Sequence, residues 1–253
     1  MTESIIPGAS AWSHVADTNR GALVVHGFTS NPSSMRGLAE AFAVAGYNVE
    51  LPRLPGHGTT IDEMLTTTWA DWSGEVEAAY QRLAARCDTV IVAGLSMGGA
   101  LTLWVGGQHP EVAGLVCINP AAQPQSADVV AMLQGMIDSG TTVTPGIGGD
   151  IADPDAVESA YAGTPLPCMV SLVRDGLNVI ASTYPTLKMP LMLMNSPQDH
   201  VVEPAQAEYL VANYGGPIER LTLERSFHVA TQDYDKDLIN TEAVAFANRV
   251  NTK

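Results

Sequence analysis

Short runs of apolar, often β-branched residues alternate along this chain with longer stretches whose apolar positions recur at helical spacing. Ala22-Leu23-Val24-Val25 is the first such run and Thr89-Val90-Ile91-Val92-Ala93 the clearest. Neither is interrupted by polar residues, which is the pattern of a parallel strand buried on both faces. Tyr47 to Leu51, Val112 to Ile118, Met189 to Met194 and Ile218 to Leu223 read as further strands. Between them, Met35 to Ala45 is amphipathic, with Gly46 placed to end it. Trp72, Val76, Ala79, Tyr80 and Leu83 share one side of a helix over Trp69 to Ala85. Ala100 to Val105 continues as helix toward His109-Pro110, and helices over Glu203 to Asn213 and Lys236 to Val250 complete the series. The alternation predicts an α/β fold, a mostly parallel sheet with helices on both faces.

The rhythm breaks between Ala121 and Pro185, a stretch far longer than an ordinary connection. It carries Leu133, Met136, Ile137, Met169, Leu172, Val173 and Leu177, too many apolar residues for a disordered linker. The expected organisation is a core of residues 1–120 and 186–253 with an inserted cap over 121–185. Thr89 through Gln108 holds no charge over the length of a membrane span. Its five glycines divide it instead into strand, turn and helix.

Charge narrows the partners. With 12 basic and 27 acidic residues, the chain has a formal net charge of −15. Nucleic acid is excluded as a partner, because phosphate binding needs clustered Lys and Arg, and a neutral substrate is favoured. Cys87, Cys117 and Cys168 are odd in number and widely spaced, which argues against a disulfide framework or a zinc site. Met1-Thr2-Glu3-Ser4 puts an acid where a secretory signal wants a base. A cytoplasmic setting is expected.

Gly94-Leu95-Ser96-Met97-Gly98 sits directly between a strand and a helix. There a Gly-x-Ser-x-Gly sequence makes a sharp turn that holds the serine oxygen out at the carboxyl edge of the sheet. A serine attacks only when a base takes its proton, and imidazole is suited to that. Of six histidines, His228 alone follows the last strand before the final helix. Asp199, just after the Leu191 to Asn195 run, is placed to orient the imidazole; an Asx-turn after Pro197 is its other reading. Two backbone donors are needed for the oxyanion. The amide of Met97 follows the nucleophile, and the amide of Phe28 lies in the loop after the first strand. His26 and His57 read as structural. Asp153, Asp155 and Glu158 form an acidic cluster in the cap, a solvated face or a source of one carboxylate for substrate hydroxyls.

His26-Gly27-Phe28-Thr29, Pro52-Arg53-Leu54-Pro55-Gly56-His57-Gly58, Gly94-Leu95-Ser96-Met97-Gly98-Gly99, Gln198-Asp199-His200-Val201-Val202 and Ser226-Phe227-His228-Val229 together resemble the bacterial monoacylglycerol lipases of the α/β-hydrolase superfamily. Bacillus-type carboxylesterases share the layout. The resemblance implies a serine hydrolase that splits one-chain glycerol esters into fatty acid and glycerol without a cofactor or metal. It implies Ser96, Asp199 and His228 as the triad and Phe28 and Met97 as oxyanion donors. It also places Glu158 at a glycerol hydroxyl. Ala121 to Thr144 departs from the family pattern, which bears on substrate preference more than on reaction type. The alternatives are a short- or medium-chain carboxylesterase or thioesterase and, from another class, a catalytically silent ligand-binding member of the fold. The cap's apolar residues suggest transient contact with a membrane or lipid droplet. The oligomeric state is not legible.

Overall fold

A computed structural model describes residues 4–251; the amino-terminal reading at Met1 to Glu3 lies outside the described residues. Nine strands are described: β1 (Trp12–His14), β2 (Arg20–Val25), β3 (Asn48–Leu51), β4 (Thr89–Leu95), β5 (Gly114–Ile118), β6 (Val143–Pro145), β7 (Gly163–Pro165), β8 (Leu191–Asn195) and β9 (Ile218–Thr222). Seven of them form one sheet in the order β1-β3-β2-β4-β5-β8-β9, parallel except where β1 pairs antiparallel with β3 at the edge. The strands expected from the sequence are present within one to two residues at each end. β1 was not foreseen, because three residues are too few to show a period.

The helices are α1 (Arg36–Val44), α2 (Ile61–Met64), α3 (Trp69–Ala84), α4 (Met97–Gln108), α5 (Ala127–Asp138), α6 (Leu166–Ser171), α7 (Asn178–Ile180), α8 (Ala205–Asn213) and α9 (Lys236–Val250). Strand side chains alternate between two apolar layers. Leu23, Val25, Val92, Leu115, Cys117, Leu191 and Leu193 meet Trp72, Val76 and Leu83 of α3, Leu101 of α4 and Leu210 of α8. Ala22, Val24, Ile91, Ala93, Val116, Ile118, Met192 and Met194 meet Leu38 and Phe42 of α1 and Ile239 and Phe246 of α9. Both faces are therefore covered, which is why the central strands read as unbroken apolar runs. Thr89 through Gln108 is β4, a turn and α4, as its glycines indicated. The three cysteines are free and buried.

The stretch after β5 falls into two parts. Residues 166–187 form α6, a π-helical turn at Leu172–Leu177, α7 and a 3-10 turn. Their Cys168, Leu172, Val173, Leu177, Ile180 and Tyr184 join the same apolar layer as α3 and α4. Residues 127–165 are more exposed, although Tyr161 and Thr164 are buried. No residue of α5 is buried, and the β6–β7 ribbon shares no hydrogen-bonded edge with the main sheet. The 146–162 loop joins its two strands.

Candidate active site

The parallel strands β4, β5, β8 and β9 are neighbours, so the loops at their carboxyl ends meet at one edge of the sheet. Ser96 follows β4 with φ 58° and ψ −120°, a conformation costly for a side chain bearing Cβ. Two close approaches enforce it. A Cβ on Gly94 would lie 2.1 Å from the carbonyl oxygen of Gly98, and one on Gly98 would lie 2.2 Å from that of Val25. Only glycine lets α4 pack this tightly against β2 and β4, and that packing forces the serine outward.

His228 Nδ1 and Asp199 Oδ2 are 2.7 Å apart, and both residues are buried. The second carboxylate oxygen of Asp199 accepts the backbone N–H groups of Val201 and Val202, each at 2.8 Å. Asp199 is thus fixed at both oxygens. Ser96 and His228 line one small chamber of about 20 Å³, together with Phe28, Ser30, Gly148 and Glu158. The acid–imidazole contact is a formed hydrogen bond, and the serine shares a cavity wall with the imidazole. Catalytic hydrogen bonds to the nucleophile commonly tighten only when substrate is bound.

On its other side Ser96 opens into an apolar cavity of about 290 Å³, bordered by Phe28, Met97, Val129 and Leu133 of α5, Leu172 and Leu177. Ser96, Gln125 and Gln206 are the polar residues of that wall, and none of its lining residues is charged. Met97 is the first residue of α4, a position where a helix leaves its N–H without an intrahelical acceptor. Phe28 follows Gly27, whose Cα is so close to Ser96 that an added Cβ would sit 3.3 Å from the serine Cβ. Glu158 lies in the 146–162 loop beside the small chamber, where its Oε2 accepts the N–H of Gly149 at 2.8 Å. Asp153 and Asp155 do not line that chamber.

His26 is fully buried, donating from Nδ1 to the Gly27 carbonyl at 3.0 Å and accepting the Leu54 N–H at Nε2 at 3.2 Å. Burial, with His57 and Arg53 nearby, holds its pKa well below the ordinary value despite the Gly27 contact. His57, also buried, donates to the Pro55 carbonyl, and burial lowers its pKa to about 4. Both are neutral structural groups beneath the Phe28 loop, as their placement in the sequence suggested.

Two polar residues at the site were not foreseen. Asn119, at φ 41° after β5, donates to the carbonyls of Phe227 and His228 and accepts the N–H of Ser196 at 2.7 Å. It ties the acid loop to the histidine loop. Asp150 accepts the N–H groups of both His200 and His228 at 3.1 Å. An uncharged polar residue closing a wholly apolar strand was the available signal for Asn119. Asp150, after Gly148-Gly149, carries no signal of its partners 50 and 78 positions away.

Residues 17–235 match the family model described as serine aminopeptidase, S33 (Hydrolase_4). The chain is 41% identical over 232 residues to the thermostable monoacylglycerol lipase of Bacillus sp. (strain H-257), covering 89% of each. It is 24% identical to the carboxylesterase of Bacillus subtilis (strain 168), covering 92% of this chain and 94% of that one. A solved structure from the work on LipS and LipT, two metagenome-derived lipolytic enzymes, superposes with a TM-score of 0.91 at 43% identity, over 97% of this chain and all of the other. The monoacylglycerol lipase of Paleococcus ferrophilus shares the fold at 15% identity, with a TM-score of 0.77 over 95% of this chain and 98% of that one. The chain therefore belongs to the serine aminopeptidase S33 (Hydrolase_4) family and is a serine hydrolase of the α/β-hydrolase fold.

Proposed function

We propose that the chain hydrolyses glycerol esters that carry one acyl chain, by way of an acyl-enzyme on Ser96. The observation that carries this reading is the position of Ser96 between two chambers of unlike chemistry. One is apolar and large enough for a hydrocarbon chain; the other is small, and its largely apolar wall also carries the side chains of His228 and Glu158. In this reading the acyl chain lies in the apolar chamber, where each buried methylene contributes roughly 0.8 kcal/mol. Ser96 Oγ attacks the carbonyl while His228 takes its proton, and Asp199 stabilises the imidazolium. The amides of Phe28 and Met97 receive the oxyanion, each such donor typically worth about 3 kcal/mol. His228 then protonates the departing glycerol oxygen and afterwards activates water. Glu158 accepts a glycerol hydroxyl.

Residues 121–185 act as the cap that encloses the chain, and Met132, Val143, Ile147 and Val157, exposed around it, offer a surface for brief contact with lipid. Among the described residues no helix is long and apolar enough to cross a membrane. Peptide cleavage from an amino terminus, which the family's name suggests, is disfavoured. An ammonium on the acyl side would face a wall without a carboxylate.

The test is a comparison of kcat/KM on 1-monolaurin, trilaurin, p-nitrophenyl butyrate and lauroyl thioester. The reading expects the monoester to exceed trilaurin by at least tenfold. Equal turnover of the mono- and triester would contradict it, and a preference for the butyrate or the thioester would favour a general carboxylesterase or thioesterase.

A further inference from the structure

The leaving-group chamber holds one polar group that the reaction sketched above leaves unused. Ser30 is 3% exposed, its Oγ has no hydrogen-bond partner, and it borders the same 20 Å³ chamber as Ser96, His228 and Glu158. These four are the only side chains with hydrogen-bonding groups in that lining. Two of them belong to the reaction. Buried hydroxyls are nearly always paired, so an orphan on a residue that lines a cavity marks a place that something else completes.

Ser30 is also held rigidly where it is. On one side the carbonyl of Thr29 accepts the N–H of Tyr161 at 3.0 Å. On the other, the Asn31 side chain donates to the carbonyl of Ser159 and, at 3.2 Å, to its hydroxyl. Residues 29–31 therefore run beside 159–161, and the stretch that carries Glu158 faces the stretch that carries Ser30. Glu158 can only accept, and one of its oxygens already takes the Gly149 N–H. A serine hydroxyl can donate and accept. The chamber thus offers two groups of complementary capacity close to the imidazole that would protonate the departing oxygen.

We propose that Ser30 is a second hydroxyl-reading residue of the leaving-group chamber, so that the site recognises an alcohol with two free hydroxyls, one held by Glu158 and the other by Ser30. This rests on the glycerol-ester reading above. Because the contact exists equally in the ground state and in the transition state, it acts on KM more than on kcat.

The experiment measures wild type and Ser30→Ala on 1-lauroylglycerol and on propyl laurate, which has the same acyl chain and no free hydroxyl, together with the melting temperature of each protein. Wild type is expected to prefer the glycerol ester. Ser30→Ala is expected to raise KM for that ester roughly five- to tenfold with kcat nearly unchanged. Propyl laurate should be turned over within about twofold of wild type, and melting should be unchanged or raised, since the hydroxyl has no protein partner to lose. If wild type prefers the glycerol ester and the variant keeps that preference, Ser30 has no such role while the glycerol reading stands. If wild type itself turns over both esters alike, the glycerol reading and the role of Ser30 fall together. A melting temperature lowered by several degrees, with equal losses on both esters, would make Ser30 a structural residue and overturn the proposal.

Discussion

Asp150, in the loop inserted after β5, accepts the backbone N–H of His228 at 3.1 Å, although the two residues are 78 positions apart in the chain. The same carboxylate oxygen takes the N–H of His200 at 3.1 Å, and the other takes His200 Nδ1 at 2.8 Å. Val229 N–H also reaches the Asp150 carbonyl at 3.0 Å. One residue of the insertion thus clamps the loop of the proposed base to the loop of the proposed acid. Burial alone would raise its pKa, but the His200 side-chain and backbone bonds and the His228 N–H outweigh that and hold the carboxyl below its ordinary value.

Asp150→Ala is accordingly expected to lower kcat by about ten- to a hundredfold with a smaller effect on KM, because it lets the imidazole drift from the serine. Steady-state kinetics on a soluble ester checks this, and a kcat within twofold of wild type would remove Asp150 from the positioning of His228. A carboxyl with a lowered pKa stabilises the fold above its unfolded value, and that stability is lost as pH falls through the folded value. The Ala variant should therefore lose less stability than wild type on acidification below the ordinary carboxylate range.

His57 sets a second acid-sensitive element. Its pKa is lowered by burial to about 4 from an ordinary 6.5. Between those values the unfolded chain binds the proton and the folded one does not, so stability rises with pH through the window. Going from neutral pH down to 5 should cost about 2 kcal/mol from this group alone, and His26 acts in the same direction. His57→Phe, placed against Phe28 and Trp72, is expected to flatten the dependence. Urea unfolding at pH 7.5 and 5 reads the difference, and an identical slope in variant and wild type would show that His57 does not titrate as described.

Gly98→Ala tests the turn that presents the serine. Its Cβ would meet two carbonyl oxygens, Val25 at 2.2 Å and His26 at 2.7 Å, in backbone that has no room to retreat. A loss of about 3 kcal/mol of stability or outright misfolding is expected, measured by chemical denaturation. Wild-type stability together with wild-type activity would mean that the close packing of α4 on β2 is not required.

Chain-length preference should follow the volume of the apolar chamber. Val129, half-buried on α5, lines it. Val129→Trp would fill part of the space and shift the preferred monoester to a shorter acyl chain, with a loss of roughly fourfold for each methylene displaced. An unchanged optimum across a chain-length series of glycerol monoesters would place the acyl chain elsewhere.

Much of this architecture was legible in the sequence, because its central strands are buried on both faces and appear as apolar runs ending at loops. Ser96, Asp199 and His228 each follow a strand that the sequence shows, since topology fixes where such strands end. Asp150, Asn119 and Ser30 could not. Asp150 and Asn119 bond to partners far along the chain, Ser30 Oγ has none, and short loops leave no period to read. The insertion shows the same limit. The apolar residues at 172–180 belong to the inserted stretch, and Leu172, Val173, Leu177 and Ile180 also join the apolar layer of α3 and α4. Apolarity signals burial but not the neighbour against which a residue is buried. Strands of three residues, such as β6 and β7, fall below any periodic signal.

The most direct measurement is labelling with a fluorophosphonate, located by peptide mass spectrometry and followed in time for wild type, Ser96→Ala, His228→Ala and Asp199→Ala. A hydroxyl activated by the imidazole should take one adduct per chain at Ser96, none in Ser96→Ala, and react at least a hundredfold more slowly in the other two variants while all four proteins remain folded. An adduct on any other residue, or ester hydrolysis that survives in Ser96→Ala, would contradict the account.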